Sequence, residues 1–204
     1  ALNLLGGEEL FVALAADPGA AHAFLDRLLD AELTIAGMYV RHRPECLITM
    51  DDYGMQDRLA VSPDTWRTFF KPRLAALFDY YRNALGDDLL VVEHHSCGHV
   101  MPIVEDLIEI GVNILNPVQS SANDLGELRR RTSHRLVLAG GICGQRVLPF
   151  ATTTEVRREV FDKLDLLWED GGYVPFAEKT VGVPPGNLAA MEAAIAEWQA
   201  ERLS

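Results

Sequence analysis

Residues 89–119 read LLVVEHHSCGHVMPIVEDLIEIGVNILNPVQ, and the fold is decided by how this stretch is parsed. Leu89-Leu90-Val91-Val92 is a continuous apolar run without alternation, the pattern of a strand buried on both faces. It ends at Glu93-His94-His95. Val100, Ile103, Val104, Leu107 and Ile108 then recur at helical spacing, and Gly111 closes that helix. Val112 to Leu115 is a second apolar run, terminated by Asn116-Pro117.

The same alternation extends in both directions. Upstream, Asp17-Pro18 reads as an N-cap followed by Pro at the first helical position, and Ala21, Phe24, Leu25, Leu28 and Leu29 carry the apolar stripe. Cys46-Leu47-Ile48-Thr49-Met50 is a short buried strand ending in Asp51-Asp52-Tyr53-Gly54. Ser62-Pro63 starts a second helix, whose stripe of Trp66, Phe69, Phe70, Arg73, Leu74, Leu77, Phe78 and Tyr81 is expected to run to Gly86. Downstream, a polar helix covers roughly 125–131. Leu136-Val137-Leu138-Ala139 is a fourth strand running into Gly140-Gly141. Thr152 with Glu155 forms a capping box ahead of Val156, Val160, Leu164 and Leu167. Tyr173-Val174-Pro175-Phe176 is a fifth strand, and Asn187 is expected to cap a last helix. Five buried strands, each followed by a helix, predict a parallel α/β sheet covered on both faces.

Composition fits one packed globular domain over 1–204: 204 residues, 49% hydrophobic and 24% charged. The net charge of −12, from 30 acids against 18 bases, argues against nucleic acid or an anionic membrane as a partner, since both reward a basic surface. No apolar run approaches the roughly 20 residues of a membrane span. Three cysteines without paired spacing (Cys46, Cys97 and Cys143) point to a reducing, cytoplasmic setting. No phosphate-cradling glycine motif occurs, so nothing supports a nucleotide site.

Polar and glycine residues gather after each strand, where α/β folds carry their ligands. In extended chain, residues i and i+2 point to the same side, so His95 and Cys97 can present an imidazole nitrogen and a thiolate to one point. These are two of the four ligands zinc takes. The alternative is a strand-end polar cluster with a structural cysteine. Asp51 and Asp52, with Tyr53 beside them, suit acid/base work or the holding of a cation, or else anchor the loop. Asn116, Gln119 and Gln145 suit recognition of a substrate by amide groups, or satisfy loop backbone. Glu178 and Lys179 follow the fifth strand; they form a solvated acid–base pair or else face the same presumed site.

The ordered set DDYGMQ (51–56), SPDTWRTFFKPRL (62–74), HHSCGHVMPIVEDLIEIGVNILNPVQ (94–119), LAGGICGQRVLP (138–149), GGYV (171–174) and VPPGNL (183–188) resembles the uroporphyrinogen decarboxylase superfamily. It is most similar to the branch that contains the corrinoid-dependent methyltransferases. The resemblance implies a TIM-type (β/α)8 barrel, of which this chain would supply about the last five βα units. The open edge would then be covered by a second copy in a homo-oligomer or by the N-terminal part of the barrel.

Within that branch the resemblance implies a zinc ion ligated by His95 and Cys97, with Glu178 taking the place of a last-strand ligand. Read from residue type and strand-end position, the expected substrate contacts are Asn116, Gln119 and Gln145, and the expected catalytic groups are Asp51, Asp52 and Tyr53. The expected activity is movement of a methyl group between a corrinoid, carried by a partner protein or bound as substrate, and a small molecule or thiol. The alternatives are decarboxylation of a uroporphyrinogen-like tetrapyrrole (a lyase reaction) and a non-catalytic partial-barrel binding subunit.

Overall fold

The computed structural model describes residues 7–169, 171–177 and 182–202. Among these, the elements run α1 (Gly7–Ala16), α2 (Pro18–Tyr39), β1 (Cys46–Met50), α3 (Pro63–Phe69), α4 (Lys71–Leu85), β2 (Val91–His95), α5 (Val104–Glu109) and β3 (Ile114–Asn116). They continue as α6 (Leu125–Thr132), β4 (Val137–Ile142), α7 (Val147–Phe150), α8 (Thr153–Leu167), β5 (Tyr173–Ala177) and α9 (Pro185–Arg202), with short 3-10 turns between. The strands hydrogen-bond in the order β1-β2-β3-β4-β5, the same as their order in the chain. β2 to β5 pair in parallel, with His95 opposite Asn116 and Ala139 opposite Val174. β1 runs the same way along β2, since Leu90 N–H reaches Glu45 O and, further on, Asp51 N–H reaches His95 O. Sequential parallel strands joined by helices are the βα repeat of a TIM-type barrel, here five units of it.

The described residues group into two compact units. The first takes in the chain up to Leu47, with Val61–Val92 and Asp106–Gly111; the second takes in Ile48–Ala60, Glu93–Glu105 and the chain from Val112 onward. In the first, Leu10, Leu14, Ala21, Leu25 and Phe69 form a buried cluster, packed by Phe24, Leu28 and Phe70. In the second, the α8 stripe of Val156, Val160, Leu164 and Leu167 is buried as its spacing predicts, together with Leu138, Ile142 and Trp198.

Local chemistry explains most of the boundaries. Asp17 accepts from Ala20 N–H, Ser62 accepts from Thr65 N–H, and Thr152 and Glu155 close a reciprocal capping box. Three expectations need correction. The helix predicted from Ser62 to Gly86 is broken at Phe70, because Pro72 cannot donate to a preceding carbonyl and starts α4 instead. Asn187 does not cap the last helix, which begins at Pro185; its buried amide donates to Leu148 O and Ala151 O, both at 2.8 Å. β2, β3 and β4 each begin one or two residues later than the apolar runs suggest and extend past their ends, since Glu93, His95 and Asn116 lie within the β2–β3 ladder and Gly140 to Ile142 within that of β4.

Asp106 on α5 ties the first unit together. It accepts from Arg67 Nε (3.1 Å) and Nη2 (3.0 Å) on α3 and from Lys71 Nζ (2.8 Å) on α4. Burial acts to raise the Asp106 pKa, but the hydrogen bonds and charges of Arg67 and Lys71 outweigh it, so the carboxyl titrates below its ordinary value. A depressed carboxyl pKa stabilises the fold above the unfolded value, about 4, and that stability is lost as pH falls through the folded value. Asp106→Ala is expected to lower the unfolding free energy by about 2 kcal/mol at pH 7. Denaturant titration at pH 7 and at pH 3 checks this, and the difference between variant and parent should shrink at the lower pH.

Candidate functional site

β2 sets the site through its alternation. Val92 and His94 are buried, whereas Glu93 and His95 are only partly covered. His94 Nδ1 lies 2.8 Å from Thr49 Oγ1, and the ring stacks on Tyr53 with centroids 5.6 Å apart. Its Nε2 is buried and has no hydrogen-bond partner among the described residues. Burial first, and then the neighbouring His95, push the His94 imidazole down to about 4, against an opposing pull from Asp52. His94 is therefore neutral at pH 7.

Beyond the strand ends, the loops after β1 and β2 lie against each other as backbone on backbone. Asp51 N–H donates to His95 O (3.0 Å), Tyr53 N–H to Ser96 Oγ (3.0 Å), Gly54 N–H to Cys97 O (3.2 Å) and His99 N–H to Met55 O (2.6 Å). The approach requires glycine on both sides. A Cβ on Gly54 would meet His99 N at 2.4 Å, and one on Gly98, which has φ +80°, would meet Gly54 C and O at 2.4 Å.

A second clamp comes from the segment after β3. Gln119 is 5% exposed and its Oε1 accepts the Gly98 N–H. Asn123 accepts from Val100 N–H at 3.1 Å and donates to Gly98 O at 2.9 Å. Ser96 N–H donates to Asn116 O at 2.7 Å. The segment Ser96-Cys97-Gly98 is thus bonded on both sides.

This framework brings three predicted residues to one place. His95 Nε2 is 3.4 Å from Cys97 Sγ and 3.8 Å from Asp52 Oδ1, and Asp52 Oδ1 accepts the Cys97 N–H at 2.8 Å. Among the described residues, Asp52, His95 and Cys97 form a group whose ligand atoms all lie within 4.8 Å of one another. A tetrahedral zinc holds nitrogen at about 2.0–2.1 Å and sulfur at about 2.3 Å, which puts those two atoms about 3.5 Å apart. The donor types and the 3.4 Å separation fit such an ion.

The other predicted residues are not members of this group. Tyr53 is buried and its hydroxyl donates to Asp51 Oδ2 at 3.2 Å. Asn116 Nδ2 donates to Glu93 Oε1 at 2.5 Å. Gln119, expected at a substrate, has its amide oxygen committed to Gly98, which is the loop-satisfying alternative for that residue. Gln145 lies on the exposed turn after β4, and Cys143 is buried there. Glu178 and Lys179 lie outside the described residues. The sequence reading missed Asn123 and Thr49, and it gave Asp52 acid/base work or the holding of a cation without joining it to His95 and Cys97. Gly54 and Gly98, each directly after a polar strand end, are the signal that could have joined the two loops.

The sequence matches the uroporphyrinogen decarboxylase (URO-D) family over residues 2–198. The chain therefore belongs to the uroporphyrinogen decarboxylase family. Among curated proteins nothing matches. Among solved structures, a methyltransferase from Methanosarcina mazei is similar, with a TM-score of 0.73 at 20% identity. The similarity covers 94% of this chain and 53% of the methyltransferase, so the chain spans about half the length of that neighbour. At this identity the likeness is one of fold. No described helix is long and apolar enough to cross a membrane.

Two tests follow from the loop framework. Gly98→Ala combines a side chain in the left-handed region with a backbone clash, and should cost at least about 2 kcal/mol. Gly186→Ala, where an added Cβ meets nothing within 4 Å, should leave denaturant unfolding nearly unchanged. His94 titrates near 4 in the fold and near 6.5 when unfolded. The unfolded chain then binds more protons between these values, so stability declines as pH falls from about 6.5 to about 4, by about 3 kcal/mol in all. Stability profiles of parent and His94→Asn should differ in slope across that window and run parallel above it.

Proposed function

We propose that the chain carries a methyltransferase site that moves a methyl group between a corrinoid and a thiol or other small acceptor, with zinc held by His95 and Cys97. The observation that carries this reading is the 3.4 Å separation of His95 Nε2 and Cys97 Sγ at the end of β2, the spacing expected of two ligands on one ion. Family membership and the fold shared with a methyltransferase support it. When bound, zinc supplies positive charge that lowers the proton affinity of a thiol and keeps it as a nucleophilic thiolate.

The chain's own residues do the positioning. The Asp52 carboxylate holds the Cys97 backbone N–H, and the Gln119 and Asn123 amides hold Gly98. The ligand pair is thereby ordered before any ion or substrate arrives, which spares that ordering on binding. The corrinoid would be presented by a partner protein or bound as a substrate.

The Asp51–Tyr53 pair, 3.2 Å apart beside the site, favours a second reading. A carboxylate hydrogen-bonded to a phenol could do acid/base work in decarboxylation of a tetrapyrrole.

The test is elemental analysis of the purified chain, followed by assay. One zinc per chain is expected, lost in Cys97→Ala, with affinity that falls as pH drops because both ligands must shed protons. The chain should consume methylcobalamin when a thiol is added. Carbon dioxide released from a porphyrinogen, with methylcobalamin untouched, would replace this reading with the second.

A further inference from the structure

Taking the zinc reading as its premise, we propose that Asp52 is the third protein ligand of the ion, completing a nitrogen, sulfur and oxygen set with His95 and Cys97. Asp52 Oδ1 stands 3.8 Å from His95 Nε2. Two ligands held at about 2.0–2.2 Å on a tetrahedral ion stand about 3.4 Å apart, so a small movement of one side chain closes the set. Its bond from Cys97 N–H, 2.8 Å long, occupies one of roughly four acceptor sites on the carboxylate and leaves the others for a cation. That bond also aims the group. Asp52 comes from the loop after β1, and the pairing of Gly54 with Gly98 holds that loop to the Cys97 loop.

Charge supports the assignment. The Cys97 thiolate and the Asp52 carboxylate together neutralise a divalent ion, while His95 adds a neutral donor. Among the described residues these three donors make up the set, and three protein ligands with one position left for substrate is the arrangement of catalytic zinc sites. Asp52 is exposed, so its charge is solvated before metal arrives and carries no burial penalty.

The competing role for Asp52 is purely structural, as the acceptor for Cys97 N–H. Asp52→Asn separates the two, because an amide oxygen still accepts that bond but is a neutral and poor ligand. Zinc affinity is read by competition with a chromophoric chelator, and cobalt(II) is used as a second, spectroscopically visible probe. Loss of a direct ligand should weaken zinc by more than about 100-fold, beyond the roughly 10- to 100-fold typical of groups that only support a ligand. The visible cobalt bands should also change shape, while thermal unfolding of the metal-free variant matches the parent. Asp52→Glu, which keeps a carboxylate, should retain most of the affinity.

An Asp52→Asn chain that binds zinc within about threefold of the parent overturns the assignment and leaves the zinc reading intact. X-ray absorption on the zinc-loaded parent needs no variant: one sulfur at about 2.3 Å with only nitrogen and oxygen otherwise is expected, and two sulfurs overturn the assignment. A parent chain that takes up neither zinc nor cobalt overturns the zinc reading, and this assignment with it.

Discussion

The site rests on a crossing of two backbones. Gly54 and Gly98 approach so closely that a methyl group on either would enter the other's peptide at 2.4 Å or meet the next amide nitrogen. At the glycines themselves the contact is between backbones, and Ser96 Oγ and Asp52 Oδ1 add side-chain bonds on either side of it. The close contact and the hydrogen bonds around it fix the loops after β1 and β2 against each other. Cys97 lies one residue before Gly98, and Asp52 two before Gly54. The crossing therefore acts on the distances between thiol, carboxylate and imidazole.

Around that crossing the protein spends buried amides rather than apolar packing. Gln119 and Asn123 are both nearly inaccessible, and both bond to the backbone of the Cys97 loop. An irregular loop cannot satisfy its own N–H and C=O groups as a helix does, and a buried polar group left unpaired costs about 1–3 kcal/mol. Two side-chain amides, each with donor and acceptor, meet that need with few residues. The arrangement separates labour on neighbouring strand ends. The β3 end supplies support, while the β1 and β2 ends supply the groups with metal-binding chemistry.

His94 and His95 show how one dipeptide divides between structure and chemistry. The pleat sends His94 into the core, where it is neutral, hydrogen-bonded to Thr49 and stacked on Tyr53. It sends His95 to the other face, near Cys97 and Asp52. Tyr53 also donates to Asp51, so the buried histidine and one exposed carboxylate are joined through one aromatic ring.

Much of the architecture was legible in the sequence because it depends on local periodicity. Apolar runs and helical stripes marked the five strands and the helices between them, and Asp17, Ser62 and Thr152 with Glu155 marked helix starts through bonds spanning three residues. The His95–Cys97 proximity was legible too, from a spacing of two residues, although Cys97 lies in the loop just past the end of β2. What joins groups 45 residues apart in the chain was not. Asp52 beside Cys97, the Gly54–Gly98 crossing, and the commitment of Gln119 to a loop 21 residues upstream are set by strand order and register. Asn187 has the residue type of a cap, yet lies in a helix already begun at Pro185 and bonds carbonyls 36 and 39 residues away. A side chain's type limits which bonds it can make; only the packed sheet determines which partner arrives, because pairing depends on distances that no local pattern encodes.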